Sequence, residues 1–455
     1  MKIYKNRLNL QKFLKNFFNL NVMDTIPLIK YPSYLPIPSN FKFQEYSTYI
    51  RNKNTITKIR RYRLIGKIKD NGKLKINKSF NSNNTIRLRY INKKDGLWII
   101  IREKWPSNNL NLNVSLLYKN RYLYLKIPKD YIGVWYKNGY YTEFVIIPKF
   151  LDLNDLFWET FGILIGEMSK TYISIANTEP KILNNLITFF NISKFINKES
   201  WKFRLCINSR EIKSIKPVIS QSKTYWADKL KVNPKAIKSV GLYKQFKSNL
   251  YPNYGEIEIK FFNKPLKKVI DHLIKFVKDN ATKNINYSIA FLRGLIAAEG
   301  NCDGRSKKIN KIRAIRIASK FEEERLFYAT VCKKLGLNVK VYKNQHNIEI
   351  HGIDSFIKSF KFDLFSLNER RNNNFKERLS NLDTIKALKL LIDKELSIKQ
   401  IVNILGLKDY RNMNKNFSIL FKKGILVRKK IKKVGYLYKI KDKLAFDVAQ
   451  RMHNN

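Results

Sequence analysis

The sequence predicts an α+β protein of four segments: a β-rich domain over 1–150, two half-domains of one plan over 151–280 and 288–378, and a small unit over 381–445. Three observations carry this. Two apolar runs, far apart in the chain, share register, small residues and a terminal glutamate. Strands that alternate polar and apolar residues follow each run, and the C-terminal segment reads as three helices and a basic hairpin.

From Asn52 to Phe150 short strands are expected at Tyr62 to Ile68, Thr85 to Tyr90, Trp98 to Arg102, Val114 to Tyr118, Tyr122 to Ile127 and Tyr140 to Ile147. Asp70-Asn71-Gly72, Lys94-Asp95-Gly96 and Lys137-Asn138-Gly139 supply turns between them. Two pieces, Gly72 to Glu103 and Asn120 to Lys149, resemble each other faintly and resemble tandem swapped-hairpin DNA-binding modules.

The first half opens with Phe157 to Glu167, apolar with Gly162 and Gly166 four apart. A strand at Tyr172 to Ala176 follows, then a helix with Thr178 as N-cap and Pro180 just inside it. Trp201 to Asn208 sets Lys202, Arg204, Cys206 and Asn208 against Phe203, Leu205 and Ile207, and Gly255 to Phe262 alternates likewise. Residues 212–250 are an extra, basic, helical excursion between these strands.

The second half repeats the plan. Ile289 to Ala298 is apolar apart from Arg293, has Gly294 and Ala298 four apart, and stops on Glu299-Gly300. Strands at Ile312 to Ala318, Asn338 to Lys343 and Asn347 to His351, a helix from Glu322 to Leu335 and another from Asp354 follow. In the last segment Ile385 to Asp393 is helical, Ser397 with Gln400 makes a capping box, Tyr410 to Lys422 is a third helix, and Ile425 to Ile431 with Tyr436 to Ile440 forms the hairpin.

The net charge is +55, from 90 Lys plus Arg against 35 Asp plus Glu, and it is spread along the chain. Charge of one sign on this scale calls for a polyanionic partner, and nucleic acid is the expectation. Hydrophobic residues at 44% and aromatics at 13% support folded cores and argue against a disordered basic tail. Cys206, Cys302 and Cys332 are odd in number and widely spaced, which excludes a disulfide framework and a Cys-x-x-Cys metal site. No apolar run reaches 18 residues, so no membrane span is expected. An intracellular location follows, cytoplasmic in a prokaryote such as an archaeon, or organellar.

Small residues four apart share a helix face, so the two apolar helices can pack with their backbones nearly touching, bringing Glu167 and Glu299 to one end. A carboxylate at a helix C-terminus is disfavoured by about 0.3–1 kcal/mol, and two close carboxylates repel. A proton or a cation between them relieves the repulsion. Oxygen ligands favour Mg²⁺, with Mn²⁺ as the near equivalent, and carboxylate-held divalent ions hydrolyse phosphodiesters. Glu159 and Asp303 have no matching acid in the other half and are left out of the metal shell.

Thr160 to Met168 (TFGILIGEM) and Leu292 to Gly300 (LRGLIAAEG) resemble the two copies of the nine-residue signature of the LAGLIDADG homing endonucleases, in the single-chain form with an archaeal-like insertion. The first copy departs at Thr160 and Met168, where the pattern has leucine and glycine. The resemblance implies two pseudo-symmetric αββαββα half-domains whose antiparallel sheets form a saddle over the DNA major groove. It implies Glu167 and Glu299 as metal-holding catalytic acids and a basic group near Lys264, with Lys260 second. It also implies a monomer that cuts a specific site in double-stranded DNA, leaves staggered ends, and belongs to an intron-encoded or free-standing mobile element. The 381–445 segment resembles a winged helix. Lys202, Arg204, Lys260, Arg313 and Lys340 on the strands, and Asn412 and Lys415 (with Asn414 and Asn416) on the third C-terminal helix, are the expected DNA contacts. The competing reading is a non-cleaving relative that binds DNA or RNA as an intron maturase or transcriptional regulator.

Overall fold

Upstream of residue 150 the described residues are nearly all strand, in keeping with their β-branched and aromatic runs. The computed structural model describes residues 130–442 apart from 139–140, 197, 209–213, 244–253, 305–309, 393, 408–409 and 432–434, together with residue 450 and the upstream segments 7–14, 21–23, 25–30, 46–52, 55–61, 73–75, 85–93, 96–102, 113–117 and 122–126. The N-terminal elements are β1 (Arg7–Asn9), α1 (Leu10–Leu14), β2 (Asn21–Met23), β3 (Thr25–Lys30), β4 (Tyr46–Asn52), β5 (Thr55–Arg61), β6 (Lys73–Lys75), β7 (Thr85–Lys93), β8 (Gly96–Arg102), β9 (Asn113–Leu117), β10 (Tyr122–Lys126), β11 (Tyr131–Asn138), β12 (Tyr141–Pro148) and β13 (Phe150–Asp152). They build a five-stranded sheet β2-β11-β12-β7-β8, a four-stranded sheet β3-β10-β9-β6, the β4–β5 hairpin and the β1–β13 pair. The expected strand at Tyr62 to Ile68 and the turn at Asp70 to Gly72 lie outside the described residues. Gly72 to Glu103 gives β6 to the four-stranded sheet and the β7–β8 hairpin to the five-stranded one; Asn120 to Lys149 does the same with β10 and β11–β12. The two alike pieces thus each give one strand to the four-stranded sheet and a pair to the five-stranded one, β6 and β8 at the edges and β10 and β11–β12 inside.

Two compact units result, one of Met1–Asn154, Met168–Thr178 and Leu186–Lys275, the other of Asp155–Glu167, Glu179–Asn185 and Phe276–Asn455. Helix α2 (Asp155–Glu167), read from the sequence as the opening of the first half, packs within the second unit.

In the first unit β14 (Ile173–Asn177), β15 (Lys202–Asn208), β16 (Ile237–Tyr243) and β17 (Glu256–Phe261) form a sheet in the order β14-β17-β15-β16, with α4 (Ile215–Leu230); α3 (Pro180–Ile192), up to Asn185, and α5 (Lys264–Asn280), from Phe276, belong to the second unit. The alternation seen in sequence decides its faces: Phe203, Leu205 and Ile207 and Ile257, Ile259 and Phe261 are buried, with Lys202 and Arg204 exposed opposite them. Trp226 and Leu230 of α4 are also buried.

The second unit holds α6 (Ile285–Glu299), β18 (Gly300–Gly304), β19 (Ile312–Ala318), α7 (Glu322–Lys334), β20 (Asn338–Val341), β21 (Asn347–His351) and α8 (Ile353–Lys361), with an antiparallel sheet in the order β18-β19-β21-β20. The ladder β14-β17-β15 matches β19-β21-β20 strand for strand, but the sheet edges differ. β18 follows the acid directly and adds to β19; in the first half residues 168–172 leave no room for both such a strand and the turn that would return it to β14, and β16 instead pairs in parallel with β15. The αββαββα plan therefore holds throughout the second half and in the first is altered at its edges.

Helix α9 (Glu369–Ser380), not expected from sequence, leads to α10 (Asp383–Leu390), β22 (Leu396–Ser397), α11 (Ile398–Ile404), α12 (Arg411–Lys422), β23 (Leu426–Ile431) and β24 (Gly435–Ile440). Ser397 accepts from the Gln400 N–H at 3.3 Å and donates its own N–H to Gln400 Oε1 at 2.9 Å, completing the capping box. Met413, Phe417 and Leu420 bury one face of α12, and the Phe417 ring meets Tyr438 of β24 edge-on at 5.1 Å.

Candidate active site

The site begins with two helices that could not approach so closely with any side chain between them. A Cβ on Gly162 would lie 2.7 Å from the Leu295 backbone nitrogen, and one on Gly294 would fall on the Glu159 carbonyl oxygen. These contacts are backbone on backbone, so no rotamer change relieves them. Around the seam Phe157, Trp158, Phe161, Ile163, Phe291, Leu292, Leu295 and Ile296 are buried, each worth about 1.5–3 kcal/mol by burial alone.

The residues that looked odd in the two apolar runs are joined at the far end of the pair. Buried Thr160 donates to Asn185 Oδ1 at 2.9 Å, Asn185 donates to Glu159 Oε2 at 3.0 Å, and Arg293 lies 3.3 Å from Glu159 Oε1 and 3.5 Å from Asp155. Burial pushes the Glu159 carboxyl above its ordinary range against the pull of Arg293 and Asn185. Thr160 and Arg293 are thus accounted for as members of one buried polar network, and Glu159 belongs to it, away from the acid pair.

At the other end Glu299 folds over Gly166, the residue before Glu167: a Cβ there would lie 3.0 Å from Glu299 Cγ and 3.8 Å from its Oε1. Glu167 and Glu299 are both half-buried and are the last residues of α2 and α6. Gly300 ends α6 in extended conformation, φ −79°, and its glycine is needed because a Cβ would meet Ile296 Cγ2 at 2.6 Å. Burial raises the Glu299 pKa, Arg371 lowers it and Glu324 raises it further, for a net upward displacement. Arg371, on α9, donates through Nη1 to the carbonyls of Ile296 at 3.0 Å, Ala297 at 2.5 Å and Ala298 at 2.9 Å. Those are last-turn carbonyls: that of Ile296 also accepts from the Gly300 N–H, and those of Ala297 and Ala298 are of the kind a helix leaves without internal partners. Nothing in the local sequence Glu369-Arg370-Arg371 announces this role.

The donor set is two carboxylates, hard oxygen ligands that suit Mg²⁺ or Mn²⁺. No group of three or more His, Cys, Asp or Glu that could hold a metal occurs among the described residues. An ion here would therefore complete its shell with water and phosphate oxygens, as Mg²⁺ commonly does. Asp303 is committed elsewhere, 2.7 Å from Arg313 and 3.3 Å from Arg316.

Lys264 is exposed and is the first residue of α5, in the other compact unit from the acid pair. Lys260 on β17 pairs with Glu258 at 2.7 Å, and Arg204 stands 4.0 Å from the same carboxylate. Ser174 donates to Glu258 at 2.7 Å. Lys202 stacks 4.8 Å over the Phe262 ring. Burial alone would raise the Glu258 pKa, but Lys260, Ser174 and Arg204 outweigh it and hold the carboxyl low. Glu349 on β21 is the counterpart: only 3% exposed, it accepts from Arg316 at 2.7 Å and lies 3.4 Å from Arg313 and 2.9 Å from His351. Lys340 is exposed on β20, and Asn412, Asn414 and Lys415 are exposed on α12. Asn416 differs from expectation: it turns inward and donates to Thr384 Oγ1 at 2.7 Å.

A family model described as a LAGLIDADG-like domain matches residues 286–383. No curated protein matches the chain. Similar solved structures include mesophilic variants of the homing endonuclease I-DmoI, 15% identical over 47% of this chain and 98% of that one, with a TM-score of 0.24. Another is I-DmoI in complex with DNA and Ca, 14% identical over 46% of this chain and 88% of that one, with the same TM-score of 0.24. Helix α6 from residue 286 onward, its terminal acid and the β18-β19-β21-β20 sheet fall within the span that is similar to a LAGLIDADG-like domain.

Proposed function

We propose that this protein is a site-specific double-strand DNA endonuclease that hydrolyses phosphodiesters with divalent metal held by Glu167 and Glu299. The observation that supports the reading is the packing of Glu299 over Gly166, the residue before Glu167, at one end of the backbone-packed α2–α6 pair, with the half-buried Arg371 on the last carbonyls of α6. When bound, Mg²⁺ supplies Lewis acidity toward a phosphoryl oxygen and makes its water a better nucleophile. The chain's own residues do the remainder. Glu167 and Glu299 hold the ion where each can serve one strand, and Arg371 fixes the end of α6 on which Glu299 sits. Lys264 stands as the proposed basic group that polarises solvent.

The charge of +55 supports double-stranded DNA as partner, and the exposed Lys202, Arg204, Lys340, Asn412 and Lys415 are proposed contacts. The α10–α12 helices with the β22-β24-β23 sheet support a winged-helix reading of the last segment, with α12 entering the major groove. A monomer acting within a mobile element is the context proposed. No helix among the described residues is long and apolar enough to cross a membrane.

The test is cleavage of random-sequence plasmid libraries with Mg²⁺, run beside Glu167→Gln and Glu299→Gln. Metal-dependent cutting by the wild type, lost in both variants with DNA binding retained, is the expected result. Specific DNA or RNA binding with no cutting would move the assignment to a maturase or transcriptional regulator.

A further inference from the structure

Two helix ends in the second unit carry charge of the wrong sign for their dipoles, and they meet. α6 ends on Glu299, where the partial charge is already negative, and α9 begins Glu369-Arg370-Arg371, placing two cations where it is positive. Arg371 spans the two. Its Nη1 donates to the carbonyls of Ile296, Ala297 and Ala298, the last of these one residue before Glu299. Burial and the neighbouring Arg370 lower its pKa, and the carboxylates of Glu167, Glu299 and Glu179 oppose that shift. The α9 end is itself held from behind: Glu179 accepts backbone N–H groups of Glu369 and Arg370, and Asn368 caps the helix by accepting from the Arg371 N–H at 3.0 Å. An arginine tied by its backbone to one helix and by its fork to another cannot swing away as a surface lysine would.

We infer that Arg371 is a positioning residue for the acid pair: it is the resident counter-ion of Glu167 and Glu299 in the metal-free protein and pins the end of α6 that carries Glu299. The inference rests on the reading of the two glutamates as metal ligands. A divalent ion entering the site adds to a positive charge already in place. Arg371 thereby offsets both the mutual repulsion of the carboxylates and the unfavourable end of the α6 dipole.

The test is urea unfolding in EDTA of the full chain as wild type, Arg371→Gln, Arg371→Lys, Glu167→Gln/Glu299→Gln and the triple variant Arg371→Gln/Glu167→Gln/Glu299→Gln. Arg371→Gln should lower the midpoint clearly, Arg371→Lys less, and the loss should shrink markedly once the acids are gone. Ca²⁺ should restore the Arg371→Gln midpoint and leave the triple variant unmoved; if Arg371→Gln is unfolded in EDTA, refolding on Ca²⁺ addition gives the same readout. Equal losses with and without the acids would overturn the inference and leave Arg371 a plain helix cap. Coupling to the acids without any Ca²⁺ effect would support the counter-ion and overturn the metal reading, so the two fail separately.

Discussion

Substituting alanine at Gly162 or Gly294 tests the seam that brings the acids together. At Gly294 the new methyl would fall on the Glu159 carbonyl oxygen, and at Gly162 it would lie 2.7 Å from the Leu295 nitrogen, in both cases against backbone of the facing helix. The helices must separate or the methyl must displace neighbours. Overpacking of this kind costs up to about 3 kcal/mol, and alanine returns about 1 kcal/mol over glycine in a helix interior, so a net loss of about 2 kcal/mol is expected. With an m-value near 2 kcal/mol per M, the urea midpoint should fall by about 1 M. Cutting by either variant should fall further than the loss of folded protein explains, because Glu167 and Glu299 end on the displaced helices. A variant more stable than wild type by the roughly 1 kcal/mol propensity gain would mean that the backbones do not touch, and the close acid pair would go with them.

Glu349→Gln should cost about 1–2 kcal/mol at neutral pH, a discounted figure because Arg313 and Arg316 are partly exposed, and chemical denaturation measures it. The Glu349 pKa is held below the ordinary carboxylate value, so its stabilising contribution is present above that value and is lost as pH falls through the lowered one; acid titration of wild type should show this loss and the Gln variant should not. The Glu299 pKa is raised by burial, so metal-dependent cutting should decline on acidification at a higher pH than the usual Glu value of about 4.3 would give, as a pH–rate profile would record. The same raised pKa means that folding gains from Glu299 only below its unfolded value and loses that gain as pH rises through the folded one. Lys415→Ala should weaken DNA binding across sequences alike and reduce the salt slope by about 1, which binding titrations over a salt series will read.

What the sequence made legible was whatever one periodicity decides. The alternation from Lys202 to Asn208 became the faces of β15, Ser397 and Gln400 capped α11 as their spacing required, and small residues four apart became a backbone-to-backbone seam. What escaped depended on partners far away in the chain. Gly300 to Gly304, Gly-Asn-Cys-Asp-Gly, has no strand propensity of its own and becomes β18 because β19 offers its edge. Helix α9 shows only Phe375 and Leu379 buried among Asn, Arg and Glu, too thin a stripe to read. Arg371 was invisible as part of the site for the same reason: its three acceptors lie over seventy positions away. Asn416 looked like its exposed neighbours Asn412 and Asn414 until Thr384 supplied a partner.

The excursion between β15 and β17 leaves the ladder of those two strands intact, for Lys202 still faces Lys260 and Arg204 still faces Glu258 across it. The added helix and strand attach at the rim and interrupt no pairing between the strands they separate. Growth at a rim is the form of enlargement a pleated framework tolerates most readily, because the older strands need not change register to admit it. This gives the protein a place where chain can be lengthened, shortened or exchanged while the guanidinium and ammonium groups of the β15–β17 ladder keep their spacing.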